Sequence, residues 1–153
     1  MTDYQIVPAT AEHIEAVAAH LRQADRDEVF AAAGLTGAEA LRYSFENSIE
    51  CWAGLVDGEP ICIFGVSRST LLTGTGVPWM LGTPEVEHHV MPFLRRSRVV
   101  VRKWREHFDL LVNHVDARNT KSIQWLRWLG FTIRDVIPYG PFNLPFHPFE
   151  MRS

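Results

Sequence analysis

The sequence predicts a mixed α/β domain, and three features of its order lead to that prediction. Segments with the alternating apolar pattern of strands are interspersed with segments whose apolar residues recur at helical spacing. Asp57 and Gly58, between two apolar runs, indicate a tight antiparallel hairpin because both positions tolerate a positive φ. Two later helices each lie between strands, as crossover helices do. The predicted order is β-α-α-β-β-β-α-β-α-β-β.

The first half of the chain is predicted to contain a strand, two helices and the hairpin. The strand covers Tyr4–Pro8 and ends at its proline. Thr10 is expected to cap a helical region that closes at Gly34. A second helix is expected over 36–47, because Thr36 and the glutamate three residues later have capping-box spacing. The hairpin strands are expected at 51–56 and 60–67.

The second half begins with a predicted strand at 77–81. Thr83 follows, with a proline and then a glutamate after it, which is the pattern of a helix N-terminus. Pro92 is expected to interrupt this short helix before a longer one begins at Phe93.

The last helix is expected to begin and end at recognisable residues. Asn119 is a predicted N-cap, and Gly130 is expected in the left-handed conformation just past the C-terminus. The remaining strands are expected at 110–115, 132–137 and 146–151. Residues 138–145, rich in proline and glycine, are predicted to form a rigid loop.

Length and composition limit the classes of protein to which the chain can belong. A chain of 153 residues fits one domain, predicted to span 1–153, and its 46% apolar and 22% charged residues argue against disorder. No apolar run approaches the roughly 18 residues that a membrane span requires. The N-terminus lacks the pattern of a signal peptide, so a cytoplasmic protein without membrane contact is expected. No cysteine and histidine cluster has zinc spacing, and no metal site is predicted.

Charge is distributed unevenly along the chain. The first 90 residues hold 13 acidic and 4 basic side chains, whereas the remainder holds 5 acidic and 11 basic ones. Six of the basic residues lie within 95–105, and arginine outnumbers lysine 13 to 2 in the whole chain. Because arginine suits bidentate phosphate recognition, an anionic partner near this segment is predicted. A solvated helix face is the alternative.

The stretch from Val115 to Phe131 carries a resemblance to a known family. Many GNAT acetyltransferases have Asn-x-x-Ala, then Leu-Tyr, then Gly-Phe between two strands, and four residues here fall at matching spacing. They are Asn119, Ser122, Gly130 and Phe131. The resemblance implies the GNAT-like acyl-CoA N-acyltransferase fold. It also implies transfer of an acyl group from acetyl-CoA to an amine acceptor.

Five further segments, in order, resemble a phage-encoded family whose members are described as GNAT-like proteins or as internal (core) virion proteins. They cover residues 24–28, 78–83, 93–98, 113–119 and 125–131. This resemblance implies the same fold and a place in the host cytoplasm or the virion. It leaves open an alternative function, a non-catalytic protein with an internal virion or host-interaction role and phage or host proteins as partners.

The cofactor is expected between the fourth and fifth strands. GNAT enzymes usually carry Gln/Arg-x-x-Gly-x-Gly/Ala at the pyrophosphate, but here arginine and valine replace the small residues after Arg95. Phosphate binding by side chains is therefore predicted, with a basic helix end as the alternative. Nucleic acid is a weaker alternative, because aromatics suited to stacking are not interleaved with the arginines. The predicted cofactor-binding residues are Leu81, Arg95, Arg96, Ser97, Arg98, Asn119, Ser122 and Trp125.

Three residues are predicted to be catalytic. The tyrosine of the GNAT Leu-Tyr pair falls on Leu126, which cannot donate a proton, so Tyr139 is the candidate acid if its loop folds over the site. Glu85 and Glu28 are candidate bases. The structural alternatives are helix-end electrostatics for Glu85, a solvated acidic run for Glu28 and a surface-packed ring for Tyr139.

Overall fold

A computed structural model describes residues 1–153 as an eight-stranded, mostly antiparallel sheet with five α-helices. The strands are β1 (Tyr4–Pro8), β2 (Glu50–Val56), β3 (Glu59–Arg68), β4 (Thr75–Gly82), β5 (Leu110–Asp116), β6 (Thr132–Ile133), β7 (Ile137–Tyr139) and β8 (Leu144–Arg152). The helices are α1 (Ala11–Ala18), α2 (Gln23–Ala33), α3 (Gly37–Asn47), α4 (Val90–His107) and α5 (Thr120–Leu129). The sheet order is β1-β2-β3-β4-β5-β8-β6, and β7 also pairs with β8. The predicted mixed α/β class is confirmed.

The helical region after β1 consists of two helices instead of the one that was expected. Thr10 caps α1 as predicted, through a reciprocal pair of hydrogen bonds with His13. The region then breaks because the Arg22 backbone N–H donates to the carbonyl of Gly82 at 2.8 Å, which draws residue 22 toward the end of β4. The second helix, α2, starts from that anchor and ends at Gly34 in the left-handed conformation.

The segment between β4 and α4 also differs from expectation. Residues Pro84–His88 form a 3-10 helix, and Thr83 makes no side-chain cap but donates its hydroxyl to the carbonyl of Ile61. Pro92 does not interrupt a helix, since it is the third residue of α4. That position lies in the first turn, where backbone N–H groups have no intrahelical partner to lose.

The remaining turn and cap predictions are confirmed. Asp57 and Gly58 both have positive φ, at 49° and 84°. Asn119 caps α5 by accepting a bond from the Ser122 backbone N–H, and Gly130 follows at φ 106°. The single strand predicted over 132–137 is not observed, since β6 covers only Thr132–Ile133 and β7 begins at Ile137. The loop expected at 138–145 is shorter, because its first two residues belong to β7, its last two belong to β8, and 140–143 form the turn between them.

The β7–β8 turn packs tightly on the C-terminal end of α2. Gly140 has φ +75°, and a Cβ there would lie 2.3 Å from the carbonyl oxygen of Ala31. Beside it the exposed rings of Phe30 and Phe142 stack at 5.1 Å. The turn therefore closes the sheet over α2 through a contact that only glycine permits.

We expect Gly140→Ala to destabilise the fold by about 2–3 kcal/mol, because it combines an unfavourable φ with a backbone clash. The matched control is Gly58→Ala, whose φ is +84° but whose Cβ would meet no atom within 4 Å. Urea unfolding of both variants separates the free-energy cost of the unfavourable φ from the cost of the backbone clash. Equal losses in the two variants would show that the α2 contact is not rigid.

Apolar side chains fill both faces of the sheet. One face packs on α1 and α3 around Ile63 and Leu81, and the other packs on α4 and α5 around Phe64 and Val115. β4 and β5 are the one parallel pair, and they join only at the start, where Thr75 lies opposite Leu110 and Gly76 opposite Leu111. Beyond these positions the two strands separate. No helix in the chain is both long and apolar enough to cross a bilayer.

Candidate active site

A cavity of about 310 Å³ lies where β4 and β5 separate. Its lining comes from both faces of the sheet. On one side are residues of α2, α3 and β7, and on the other are residues of α4 and α5. Most lining residues are apolar, and the polar ones are Glu28, Tyr43, Ser44, Ser97, Asn113, His114, Ser122 and Tyr139. The cavity therefore connects the two faces through the gap between the strands.

Asn113 bridges the gap. Its Nδ2 donates to the carbonyl oxygen of Pro78 on β4 at 2.8 Å, while its Oδ1 accepts from the backbone N–H of His114. A side chain thus takes the place of a ladder bond, and since Pro78 has no N–H, the ladder could not continue through that residue. The separation of β4 from β5 follows from these two residues.

The edge of β4 that faces the gap presents peptide groups. Backbone groups of Pro78 and Gly82 point toward β5 and α2, so strand alternation directs the N–H and C=O of Met80 the same way. Gly82 is fully engaged, because its N–H donates to Asp25 at 2.9 Å and its carbonyl accepts from Arg22. Met80, which lines the cavity, offers one donor and one acceptor to an amide-containing chain.

Glu28 lies on the cavity wall, in the middle of α2. Its Oε1 accepts from the backbone N–H of Asp116 at 2.8 Å and from the Asn119 side chain at 3.4 Å. The residue is partly accessible, but its carboxyl group is withdrawn from solvent, and this burial raises its pKa to about 8. The two hydrogen bonds lower the pKa in part, and the charges of nearby Asp25 and Asp116 raise it. A carboxyl with this pKa can exchange a proton near neutral pH.

A buried ion pair holds the start of α2 against the end of β4. Arg22 and Asp25 are 2% and 1% exposed, and the Arg22 fork contacts both Asp25 oxygens at 2.8 and 3.2 Å. The same guanidinium donates to Asn119 and Ser122 at the start of α5, and it lies 4.7 Å from the centre of the Trp125 ring. This pair therefore fixes α2, β4 and α5 relative to one another.

The 3-10 helix after β4 contributes negative charge to the same edge. Glu87 accepts from Arg22 at 3.2 Å and from Lys121, and these two partners lower its pKa against a smaller effect of burial. Glu85 points outward, with its side chain 64% exposed and a contact to His89 at 3.9 Å. An anion that approaches the end of β4 therefore meets one neutralised and one free carboxylate.

Tyr139 lies in the cavity wall, where its ring stacks on His114 with centroids 3.9 Å apart and planes at 14°. Burial lowers the pKa of His114, so its imidazole is held neutral against the tyrosine ring. Tyr139 is the last residue of β7, outside the loop in which it was expected, and its side chain lines the cavity. Its ring is on the same side of the sheet as Glu28.

The arginines of α4 do not converge. Arg95, Arg96 and Arg98 lie within the second and third turns of the helix, where backbone N–H groups are already bonded, and Arg95 extends into solvent. Arg96 lies 5.6 Å from the Tyr4 ring, whereas Arg98 stacks on Trp128 at 3.9 Å and donates to its carbonyl. Ser97 alone of this segment faces the cavity.

The structure thus divides the predicted site residues into two groups. The cavity wall includes Glu28, Leu81, Ser97, Ser122, Trp125 and Tyr139, and Asn119 borders it through Glu28. Outside the cavity lie Glu85, Arg95, Arg96 and Arg98. The solvated acidic run given as the alternative for Glu28 does not extend to Asp25, which is buried as the partner of Arg22.

Sequence reasoning missed Arg22, Asn113 and His114. The sequence does indicate that Asn113 is unusual, because this polar residue lies between Leu111 and Val115 on the apolar face of β5. No local pattern indicates the role of Arg22, since that role depends on contacts to residues 65 to 100 positions away. The chain contains no group of three or more histidine, cysteine or acidic side chains that would hold a metal.

Comparison with solved structures identifies the architecture, whereas no protein-family model and no curated protein matches the sequence. A ribosomal-protein-alanine N-acetyltransferase from Brucella melitensis superposes with a TM-score of 0.72 at 14% identity, covering 97% of this chain and 99% of its own. A GCN5-related N-acetyltransferase from Kribbella flavida gives 0.67 at 14%, with 98% of each chain covered. A GNAT-family acetyltransferase from Streptococcus pneumoniae gives 0.66 at 11%, covering 99% and 100%. This chain therefore has the GNAT acetyltransferase fold.

Proposed function

We propose that this chain is a GNAT-type N-acyltransferase that moves an acyl group from a CoA thioester, acetyl-CoA in the simplest case, to an amine. The observation that carries the proposal is the gap between β4 and β5. It joins the two faces of the sheet through one cavity, and Glu28 with a pKa of about 8 lies on its wall. A thioester on one face and an amine on the other would meet there.

The proposed chemistry uses residues that line the cavity. The amine nitrogen attacks the thioester carbonyl carbon, the C–S bond breaks, and an amide forms. The Glu28 carboxylate takes the proton that the nitrogen loses, and the coenzyme leaves as a thiolate that requires a proton. Tyr139 is the proposed donor of that proton. Met80 would align the amide-containing arm of the coenzyme through its free N–H and C=O groups.

Calorimetry with acetyl-CoA and with CoA tests the proposal. We expect micromolar binding to the native chain, and we expect Ser97→Phe to weaken it at least tenfold, because Ser97 is the one residue of 95–98 that lines the cavity and a phenyl ring there would fill part of it. The matched control is Val99→Phe on the same helix, which introduces the same ring at an exposed position outside the cavity. Absence of binding at millimolar ligand would contradict the proposal.

A second function is favoured by one specific observation. The end of β4 is held by Asp25 and Arg22, and the segment after it carries Glu85 and Glu87 where an anionic coenzyme would approach. A chain that keeps the GNAT fold without catalysis, in a virion or host-interaction role, needs no pyrophosphate site there. Failure of both CoA ligands to bind, in a chain that is folded by circular dichroism, would support this second function.

A further inference from the structure

The side of the cavity formed by α2, β7 and the strands facing them is apolar and aromatic. We name it the α2 wall, and its members are Val29, Ala32, Leu35, Trp79, His114 and Tyr139. Trp79 belongs to this side because its indole donates at 2.7 Å to Ser48, the residue that follows α3. The rings of His114 and Tyr139 stack, and burial lowers the pKa of His114, so the imidazole is neutral. The α2 wall therefore presents no charge to a ligand at neutral pH.

One carboxyl group borders the α2 wall. Glu28 is the only acidic residue that lines the cavity, and its Oε1 accepts from the Asp116 N–H and from the Asn119 side chain. Its Oε2 accepts no hydrogen bond within the chain and is not fully buried. A hydrogen-bond donor in the cavity can therefore pair with this oxygen.

The two arginines that lie near Glu28 are already paired. Arg22 is held by Asp25, and Arg118 contacts both oxygens of Asp116 at 2.7 and 3.2 Å. Neither arginine lines the cavity, whose ionisable side chains are a glutamate, a histidine and two tyrosines. A carboxylate or phosphate on the acceptor would thus lie against apolar groups without a counter-charge, which is unfavourable.

A single ammonium group matches this distribution of charge. An ammonium beside Oε2 of Glu28 favours the ionised form of that carboxyl and pairs with it. A second ammonium, as in a polyamine, would lie against the α2 wall with no carboxylate to meet it. An apolar body, by contrast, would lose water-exposed surface against the same side chains, which favours binding.

We propose that the acceptor is a primary monoamine on an apolar or aromatic body without a second charge, with its nitrogen at Glu28 and its body on the α2 wall. That the amine is acylated rests on the proposed function. The binding of such an amine stands on the composition of the α2 wall and the free oxygen of Glu28.

The test compares three amines by NMR titration of the ¹⁵N-labelled full chain at pH 7, without CoA and then with saturating CoA. The amines are phenethylamine, phenylalanine, which adds a carboxylate to the same skeleton, and cadaverine, which carries two ammonium groups. We expect phenethylamine to shift the Trp79 indole N–H signal and saturate. The other two should bind about tenfold more weakly or worse, because each brings an unpaired charge to the α2 wall.

Glu28→Gln tests the position of the ammonium group. We expect it to weaken phenethylamine binding about tenfold, the value of a charge-assisted hydrogen bond, and to leave binding of the uncharged phenethyl alcohol unchanged. A merely structural role for Glu28 would weaken both ligands alike and would contradict the inference.

Val29→Asp tests the α2 wall itself. The added carboxylate should reduce the preference for phenethylamine over cadaverine about tenfold, since the second ammonium then has a partner. Phe30→Asp is the matched control, because this neighbouring residue of α2 is exposed and lies outside the cavity. It should leave the preference unchanged.

Equal affinity of the native chain for phenethylamine and either of the other amines would overturn the inference. So would the absence of a saturable Trp79 shift with phenethylamine in both titrations. If Val29→Asp does not fold, the comparison of the three amines on the native chain still decides.

A second arm measures thiol release from acetyl-CoA with each amine. Release with phenylalanine or cadaverine, but not with phenethylamine, would reject the inference and leave the proposed function standing. Binding of phenethylamine without CoA binding or thiol release would reject the proposed function and leave the α2 wall as an amine site.

Discussion

Asp25→Ala is expected to destabilise the chain by about 3–5 kcal/mol, because it breaks a buried ion pair and leaves one charge without its partner. The change leaves the Arg22 guanidinium buried at 2% exposure with its main counter-ion gone, and it removes the acceptor of the Gly82 N–H. Glu87 remains 3.2 Å from the Arg22 guanidinium, but its side chain is more exposed than that of Asp25. Denaturant unfolding at pH 7 measures the loss.

The matched control is Asp27→Ala, two residues further along α2. Asp27 is exposed and accepts only from Gln23, so its removal should change stability by no more than about 0.5 kcal/mol. If the two replacements cost the same, the Arg22 and Asp25 pair is not the anchor between α2 and β4.

Glu28→Gln is expected to have the second large effect, on the pH dependence of stability and on catalysis. In the folded chain the carboxyl titrates at about 8, whereas unfolded it titrates near 4.5. Between these values the folded state holds one more proton than the unfolded state, so stability falls as pH rises from about 5 to about 8. Glutamine keeps the acceptor for the Asp116 N–H and does not titrate. The free energy of unfolding of Glu28→Gln, relative to that of the native chain, should therefore increase by roughly 3–5 kcal/mol as the pH rises from 5 to 9.

The same replacement should lower the acyl-transfer rate by about 10²–10⁴-fold if Glu28 takes the proton from the amine, with CoA binding unchanged. Glu85→Gln is the control, because its carboxylate is mostly exposed and lies outside the cavity. It should follow the native chain in stability at every pH and keep the native rate. A Glu28→Gln curve parallel to the native one would show that the carboxyl ionises normally in the folded chain.

The local elements of this fold were predictable because short-range chemistry determines them. The capping box at Thr10, the positive φ of Asp57 and Gly58, and the cap and stop of α5 each depend on residues within a few positions. The break between α1 and α2 was not predictable, since it follows from a bond between residue 22 and residue 82.

The candidate site was predictable in part for the same reason. The resemblance around Val115 to Phe131 placed Asn119, Ser122 and Trp125 beside the gap, where the structure has them. The directions of Arg96 and Arg98 depend on the rings of Tyr4 and Trp128, which each meets only in the folded chain. The raised pKa of Glu28 depends on the burial of its carboxyl group in the folded chain, which no local pattern reveals.

In the proposed function, a CoA thioester would lie between β4 and β5 against the free peptide groups of Met80. Amide hydrogen exchange of Met80, followed by NMR with and without saturating acetyl-CoA, tests it most directly, with the already bonded Gly82 amide as the internal control. We predict that exchange at Met80 slows at least tenfold on binding while Gly82 changes little. Unchanged exchange at Met80 when acetyl-CoA is bound would contradict the account.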